Sequence, residues 1–177
     1  TLDSPGDILN KLRNKVKKSL HQRGQEGEQK DGMDISLMII DWDSLELQFS
    51  GAYNSLLIIR KKDNFDESNP DDENFEVIKL KADRQPIGIY IYEKEFTNHT
   101  FQLEKGDTIY AMSDGFVDQF GGDTGGKFKS VRFRNLLLSI QEKSMTEQNH
   151  ILGRTFNKWK RDIDQVDDVL VMGIRIE

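Results

Sequence analysis

The hydrophobic residues of this 177-residue chain change their period three times, and that succession restricts the fold more than any other feature. Ile8, Leu9, Leu12, Val16 and Leu20 recur at three- and four-residue intervals, which puts them on one face of a helix. Ser4-Pro5-Gly6-Asp7 starts that helix. Ser4 is the N-cap, Pro5 sits at the first helical position, and Asp7 completes an S-x-x-D capping box at the positive end of the helix dipole. The spacing predicts a helix of about 18 residues. The polar stretch 23–32, which contains Gly24, Gly27 and Gly32, reads as the loop that ends it.

From Asp34 onward the period is that of strands. Residues 35–42 are continuously apolar in their middle and predict a strand covered on both faces. Residues 45–50 alternate strictly, as a half-buried strand does, with Asp43-Ser44 as a two-residue hairpin link. A third strand over 55–60 would complete an antiparallel meander. The stretch 61–74 holds six carboxylates between Asp63 and Glu73 and reads as a solvated hairpin tip. It lacks the alternation and the glycine of an EF-hand loop. Strands are predicted over 75–80, 95–103 and 108–113, with Pro/Gly punctuation at 82–88 and a turn at Lys105-Gly106-Asp107.

Beyond Gly126 the helical period returns. Val131, Phe133, Leu136, Leu137 and Ile140 mark one helix. A second opens on the capping box Ser144-Met145-Thr146-Glu147 and carries Ile151, Leu152, Phe156 and Trp159. Residues 169–176 close the chain as a strand, which must pair with the earlier sheet to avoid an exposed edge. Helix, six strands, two helices and a strand argue for an α+β fold, an antiparallel β-sandwich flanked by helices, rather than a parallel βαβ sheet. The length suits a single domain over 1–177.

Several functions are excluded at this stage. With 25 basic against 31 acidic residues the net charge is −6, which disfavours binding to a nucleic-acid backbone. The first 30 residues run against this trend, with seven basic and four acidic groups, as a solvated basic helix face does. No apolar run approaches the ~18–20 residues of a membrane span, and no signal peptide opens the sequence, so no membrane contact by this domain is expected. The chain has no Cys, hence no disulfide, thiolate nucleophile or zinc–sulfur site, and a cytoplasmic setting is the expectation. His21, His99 and His150 sit in unrelated contexts, and no G-x-S-x-G elbow is present. Gly121–Lys127 is glycine-rich but lacks the G-K-[ST] ending of a phosphate loop, so a flexible loop is expected there.

Two places can carry chemistry. Asp114-Gly115 follows the apolar strand that ends at Ser113, and Asp167-Asp168 precedes the apolar strand that starts at Val169. Carboxylates at the ends of core strands, beside a glycine that admits close backbone approach, can share Mg²⁺ or Mn²⁺, which favour hard oxygen ligands. Each alone also reads as an ordinary feature. Asp114 could cap a helix starting at Phe116, and Asp167-Asp168 could be a solvated loop.

Taken in order, Leu103-x-x-Gly106-Asp107-x-Ile109-x-x-x-Ser113-Asp114-Gly115, two helices, and Asp167-Asp168-Val169-Leu170-Val171 resemble the metal-dependent PPM-type serine/threonine phosphatases. The closer match is the bacterial branch named after stage II sporulation protein E. Asp31-Gly32-Met33-Asp34, Phe49-Ser50-Gly51-Ala52-Tyr53-Asn54 and Gln85-Pro86-Ile87-Gly88 fit the same pattern. The resemblance implies two metal ions, Mg²⁺ or Mn²⁺, with Asp114 and Asp167 as ligands, Gly115 letting the backbone pass close, and Asp168 in support. It implies hydrolysis of phosphoserine or phosphothreonine by metal-activated water, with no catalytic side chain beyond that water.

The family pattern also has an earlier Asp-Gly block that supplies a bridging Asp. This sequence opens at what resembles the second helix, so an N-terminally truncated domain is expected, with Asp31 and Asp34 not assigned to the missing role. By the same resemblance, the substrate is a phosphorylated signalling protein such as an anti-sigma-factor antagonist, and an upstream sensor or regulatory domain is expected. A homodimer is left open. The alternatives are a non-catalytic interaction module, a pseudophosphatase, or an inactive fragment lacking the first metal-ligand Asp. The basic helix, through Lys11, Lys15 and Lys18, is a further candidate for docking an acidic partner.

Overall fold

The computed structural model describes residues 3–22, 31–63 and 74–177. Most of the predicted loops at 23–32 and 61–74 lies outside the described residues. The elements run α1 (Pro5–Ser19), β1 (Ile35–Asp41), β2 (Glu46–Ala52), β3 (Leu56–Lys61), β4 (Phe75–Leu80), β5 (His99–Gln102) and β6 (Thr108–Met112). They continue with α2 (Gly115–Asp118), β7 (Phe120–Gly121), β8 (Gly126–Lys127), α3 (Ser130–Ser139), α4 (Met145–Lys160) and β9 (Val171–Arg175). The chain divides into two compact units, Thr1–Leu56 with Lys79–Glu104, and Leu57–Ile78 with Lys105–Glu177. No described helix is long and apolar enough to cross a membrane.

In the first unit, α1 starts on the predicted box. Ser4 Oγ accepts the Asp7 N–H at 3.2 Å, and the Asp7 carboxylate accepts the Ser4 N–H at 3.2 Å. The helix buries Leu9 with Ala52, Ile87 and Phe96, while Leu12 and Val16 flank that cluster. Arg13 is buried in the same face and donates to Gln85 Oε1 (3.2 Å) and the Lys94 carbonyl (2.6 Å). Those acceptors offset the cost of removing a guanidinium from water.

β1 and β2 form the expected antiparallel hairpin, from Ile35 opposite Ala52 to Asp41 opposite Glu46. Its turn has four residues rather than two. Asp41 Oδ1 accepts the Asp43 and Ser44 N–H groups (2.9 and 3.1 Å), which folds the link back before the ladder resumes. The predicted meander does not continue. β2 pairs next with β5, and β3 belongs to the other sheet. The cause is a corner at residues 51–54, where Tyr53 takes φ +58° and the backbone exchanges hydrogen bonds with Asp83 instead of forming a hairpin. β5 covers only 99–102 of the predicted 95–103. Upstream of it, side chains take over the amides: Lys94 donates to Gln85 Oε1, Phe96 to Asn10 Oδ1 and Thr97 to Asp83 Oδ2.

The second unit is built on the sheet β4-β3-β6-β9. The last strand pairs with an earlier one as expected: β9 runs antiparallel to β6, from Thr108 opposite Arg175 to Met112 opposite Val171. The core of this unit gathers Ile59, Tyr110, Phe116, Phe133, Leu137 and Phe156 with their neighbours. Phe116 meets Phe133 and Phe128 edge to face at 4.8 and 5.1 Å between ring centres, a favoured arrangement of ring quadrupoles. The buried Tyr110 hydroxyl donates to Gln148 and accepts from Gln141 (2.8 Å). Burial pushes its phenol pKa up, against the lowering effect of the Gln141 hydrogen bond. α4 opens on its predicted capping box, with Glu147 reaching back to Ser144. The stretch expected as a flexible loop is instead the small hairpin β7–β8, turned by Gly122 and Gly125 at positive φ.

Candidate metal centre

The register of β6 and β9 creates the site. Met112 pairs with Val171, so the end of β6 and the start of β9 share one edge of the sheet. Asp114 lies two residues beyond the first strand and Asp167 four residues before the second, so the chain carries both toward that end of the sheet. Ser113 ties the two segments together: its N–H donates to the Leu170 carbonyl (3.1 Å), and its hydroxyl donates to the Asp168 carbonyl (2.8 Å) and accepts the Leu170 N–H (2.9 Å).

Gly115 makes the approach possible. A Cβ on that residue would lie 2.3 Å from the Asp168 carbonyl oxygen and 3.2 Å from that of Asp167. No side chain fits there, so the backbone of the Asp167-Asp168 pair runs directly against the residue that follows Asp114. Asp114 precedes the single turn of α2 in helical geometry, and its side chain makes no capping hydrogen bond. Its backbone carbonyl accepts the Asp118 N–H at 2.9 Å, which leaves the carboxylate free of the helix it introduces. Asp167 Oδ1 accepts the Asp168 N–H (2.7 Å), and the Asp167 carbonyl accepts from Gln165 (2.8 Å).

Asp114, Asp167 and Asp168 are all exposed to solvent. A cavity of about 420 Å³ beside the loop is lined by Phe116, Leu152, Phe156, Gln165 and Val169, not by the acidic residues. The structure thus sets the backbone of Asp167 and Asp168 against Gly115, the residue that follows Asp114. Among the described residues, no group of three or more metal-capable side chains is assembled. The part Ser113 plays was not read from the sequence, because its partners lie 55 and 57 residues away and leave no local signal.

Over residues 1–177 the sequence matches the family described as stage II sporulation protein E, SpoIIE. The chain belongs to this family. Its fold is similar to the SiaA-PP2C domain of Pseudomonas aeruginosa, at 26% identity and a TM-score of 0.78, over 98% of this chain and 61% of that one. It is also similar to the phosphatase domain of the cell fate determinant SpoIIE from Bacillus subtilis, presoaked with Mn, at 17% identity and a TM-score of 0.59, over 100% of this chain and 75% of that one. A structure of the PP2C phosphatase domain of the same Bacillus protein with a fragment of its regulatory domain matches at 20% identity and a TM-score of 0.61, over 96% of this chain and 48% of that one. No curated protein matches the chain. The antiparallel sheets and helices of this SpoIIE-family chain are those of the PP2C phosphatase fold, and the chain spans 61% of the length of the SiaA domain.

Proposed function

We propose that this SpoIIE-family chain is part of a protein phosphatase that hydrolyses phosphoserine or phosphothreonine on a protein partner, with Asp114 and Asp167 as ligands of Mg²⁺ or Mn²⁺. The observation that carries the reading is the contact at Gly115, where the Asp168 carbonyl occupies the space of a side chain and the Asp167-Asp168 backbone runs against the residue that follows Asp114. The residues fit such ions. They are hard carboxylate oxygens at the solvent edge of a sheet, and Asp114 is not spent on capping. Divalent cations bound there lower the pKa of water and offset charge on the phosphoryl oxygens.

The chain's own groups supply binding and orientation. Asp114 and Asp167 bind, Ser113 and the Asp168 carbonyl fix the spacing between their segments, and Gly115 admits the close packing. A water nucleophile, as the family resemblance implies, agrees with a chain that has no Cys. Exposed carboxylates outside the neighbouring cavity suit a phosphosite presented by a macromolecule, such as a phosphorylated anti-sigma-factor antagonist in the cytoplasm. The regulatory-domain fragment seen with the Bacillus SpoIIE phosphatase domain supports control by an attached sensor.

The test uses the protein as its gene encodes it, with Mn²⁺ and a phosphoserine or phosphothreonine peptide. Phosphate release is expected, and Asp114→Asn should reduce it to background. Full activity in that variant would overturn the assignment. The second reading, a non-catalytic interaction module, is favoured by the finding that no three metal-capable side chains among the described residues are grouped to hold an ion. Calorimetry with Mn²⁺ separates the two, since the module takes up no metal tightly.

A further inference from the structure

Residues 161–170, between α4 and β9, have no regular structure, and residues 161–168 are all exposed. A carboxylate carried on such a segment holds its place only if the backbone on both sides of it is tied down. Downstream of Asp167 the tie is Ser113. Upstream it is Gln119, the residue that ends α2.

The Gln119 side chain is fully buried. Its Nε2 donates to the carbonyls of Asp164 (3.0 Å) and Phe120 (3.1 Å), and its Oε1 accepts the Val166 N–H (3.3 Å). Its own backbone carbonyl accepts the Trp159 indole N–H (2.9 Å) and the Phe128 N–H (3.0 Å). Both amide hydrogens and the amide oxygen are therefore engaged, and the residue is fixed from α4 and from the β7–β8 hairpin. A buried primary amide satisfied in this way holds one orientation, because rotating it would leave polar groups unpaired out of water.

We infer that Gln119 is a positioning residue for the Asp114–Asp167 pair. Segment 113–119 grips the 164–170 loop at three points: the Ser113 hydroxyl downstream, Gly115 against the pair, and the Gln119 amide upstream. Asp114 rides on the gripping segment and Asp167 on the gripped one, so the spacing of the two carboxylates is set by this clasp. The inference rests on the phosphatase reading given above.

The experiment titrates Mn²⁺ alone into the protein as its gene encodes it, by calorimetry, and follows amide exchange across 161–170. Gln119→Met keeps the packing volume and removes all three side-chain hydrogen bonds. It should weaken Mn²⁺ binding about tenfold, the size of effect seen when groups that orient metal ligands are lost. The Val166 amide should exchange faster, while the Leu170 amide, held by Ser113, keeps its protection. With substrate, kcat should fall and KM stay unchanged. Gln119→Glu, which sets a buried carboxylate against the Asp164 and Phe120 carbonyls, should weaken Mn²⁺ binding at least as much as Gln119→Met. If Gln119→Met does not fold, Trp159→Phe, which removes the indole donor to the Gln119 carbonyl along with ring atoms packed on Gly122, should still weaken Mn²⁺ binding, by less than the ~10-fold expected of the direct loss. Mn²⁺ binding at wild-type strength in the variant that folds overturns the inference alone. A wild-type protein that takes up no Mn²⁺ overturns the phosphatase reading and this inference with it.

Discussion

The two ends of β6 carry one aspartate each, and the two are treated in opposite ways. Asp107, just before the strand, is 1% exposed and receives a two-pronged contact from Arg60, Nε to Oδ1 at 2.9 Å and Nη2 to Oδ2 at 2.7 Å. Asp114, just after the strand, is exposed and makes no capping bond to the helix it begins. A buried carboxylate must have its partners supplied by the fold, or it loses more in desolvation than it returns. An exposed one needs none, so its oxygens remain available to a ligand. The contrast teaches that position at a strand end does not decide a carboxylate's role. What decides it is how far the fold has already committed its oxygens.

The largest effect expected from that contrast is at the committed end. Asp107→Ala removes the buried carboxylate from its two-pronged contact with the largely buried Arg60 guanidinium, and should cost about 3 kcal/mol in urea denaturation. A cost near zero would mean that Asp107 is no more committed than Asp114. Gly115→Ala comes next. The added methyl meets the Asp168 carbonyl, and relieving that overlap should cost about 2 kcal/mol. It should also weaken Mn²⁺ uptake, because the Asp167 segment is pushed away from Asp114. Loss of stability with intact uptake would separate the close approach from the site.

Glu147 is an intermediate case, exposed but committed to the α4 cap. The Ser144 hydroxyl first, and then the Ser144 backbone N–H, hold its carboxyl below the ordinary value of 4.5. Ser144→Ala should cost about 1 kcal/mol near neutral pH. Because the folded pKa is lowered, the contribution is present above pH 4.5 and is lost as the pH falls through the lowered value. The gap between wild type and Ser144→Ala in thermal unfolding should therefore narrow in acid. The smallest stability effect is expected at Asp114 itself. Asp114→Asn should stay within about 0.5 kcal/mol of wild type even as it removes activity. A large destabilisation would show that Asp114 is structural after all.

These differences also explain how much could be read beforehand. α1 and α4 were legible because each opens on a capping box whose hydrogen bonds span three residues, so cause and effect lie in one short stretch. The strand periods of β1, β2 and β6 were legible for the same reason, as was the pairing of the final strand with an earlier one. The departure of β3 from β2 was not. It depends on Asp83, far along the chain, accepting and donating at the Gly51–Tyr53 corner. The truncation of β5 likewise depends on Asn10, Asp83 and Gln85 capturing amides at a distance. At the site, Asp114, Gly115, Asp167 and Asp168 were picked out by strand ends and by a family resemblance. The devices that bring them together were invisible, since Ser113 and Gln119 are common polar residues whose partners are remote in sequence.

The Gln119 clasp grips the loop only through main-chain atoms, the carbonyl of Asp164 and the N–H of Val166. Evolution is therefore free to rewrite the side chains at these two positions, both of which face solvent, so long as the backbone keeps its path. One replacement at 166 is barred, proline, because it has no N–H to offer. Relatives that share the clasp would show a constant glutamine opposite a loop of drifting sequence, a pattern in which the informative position is the one that touches neither metal nor substrate.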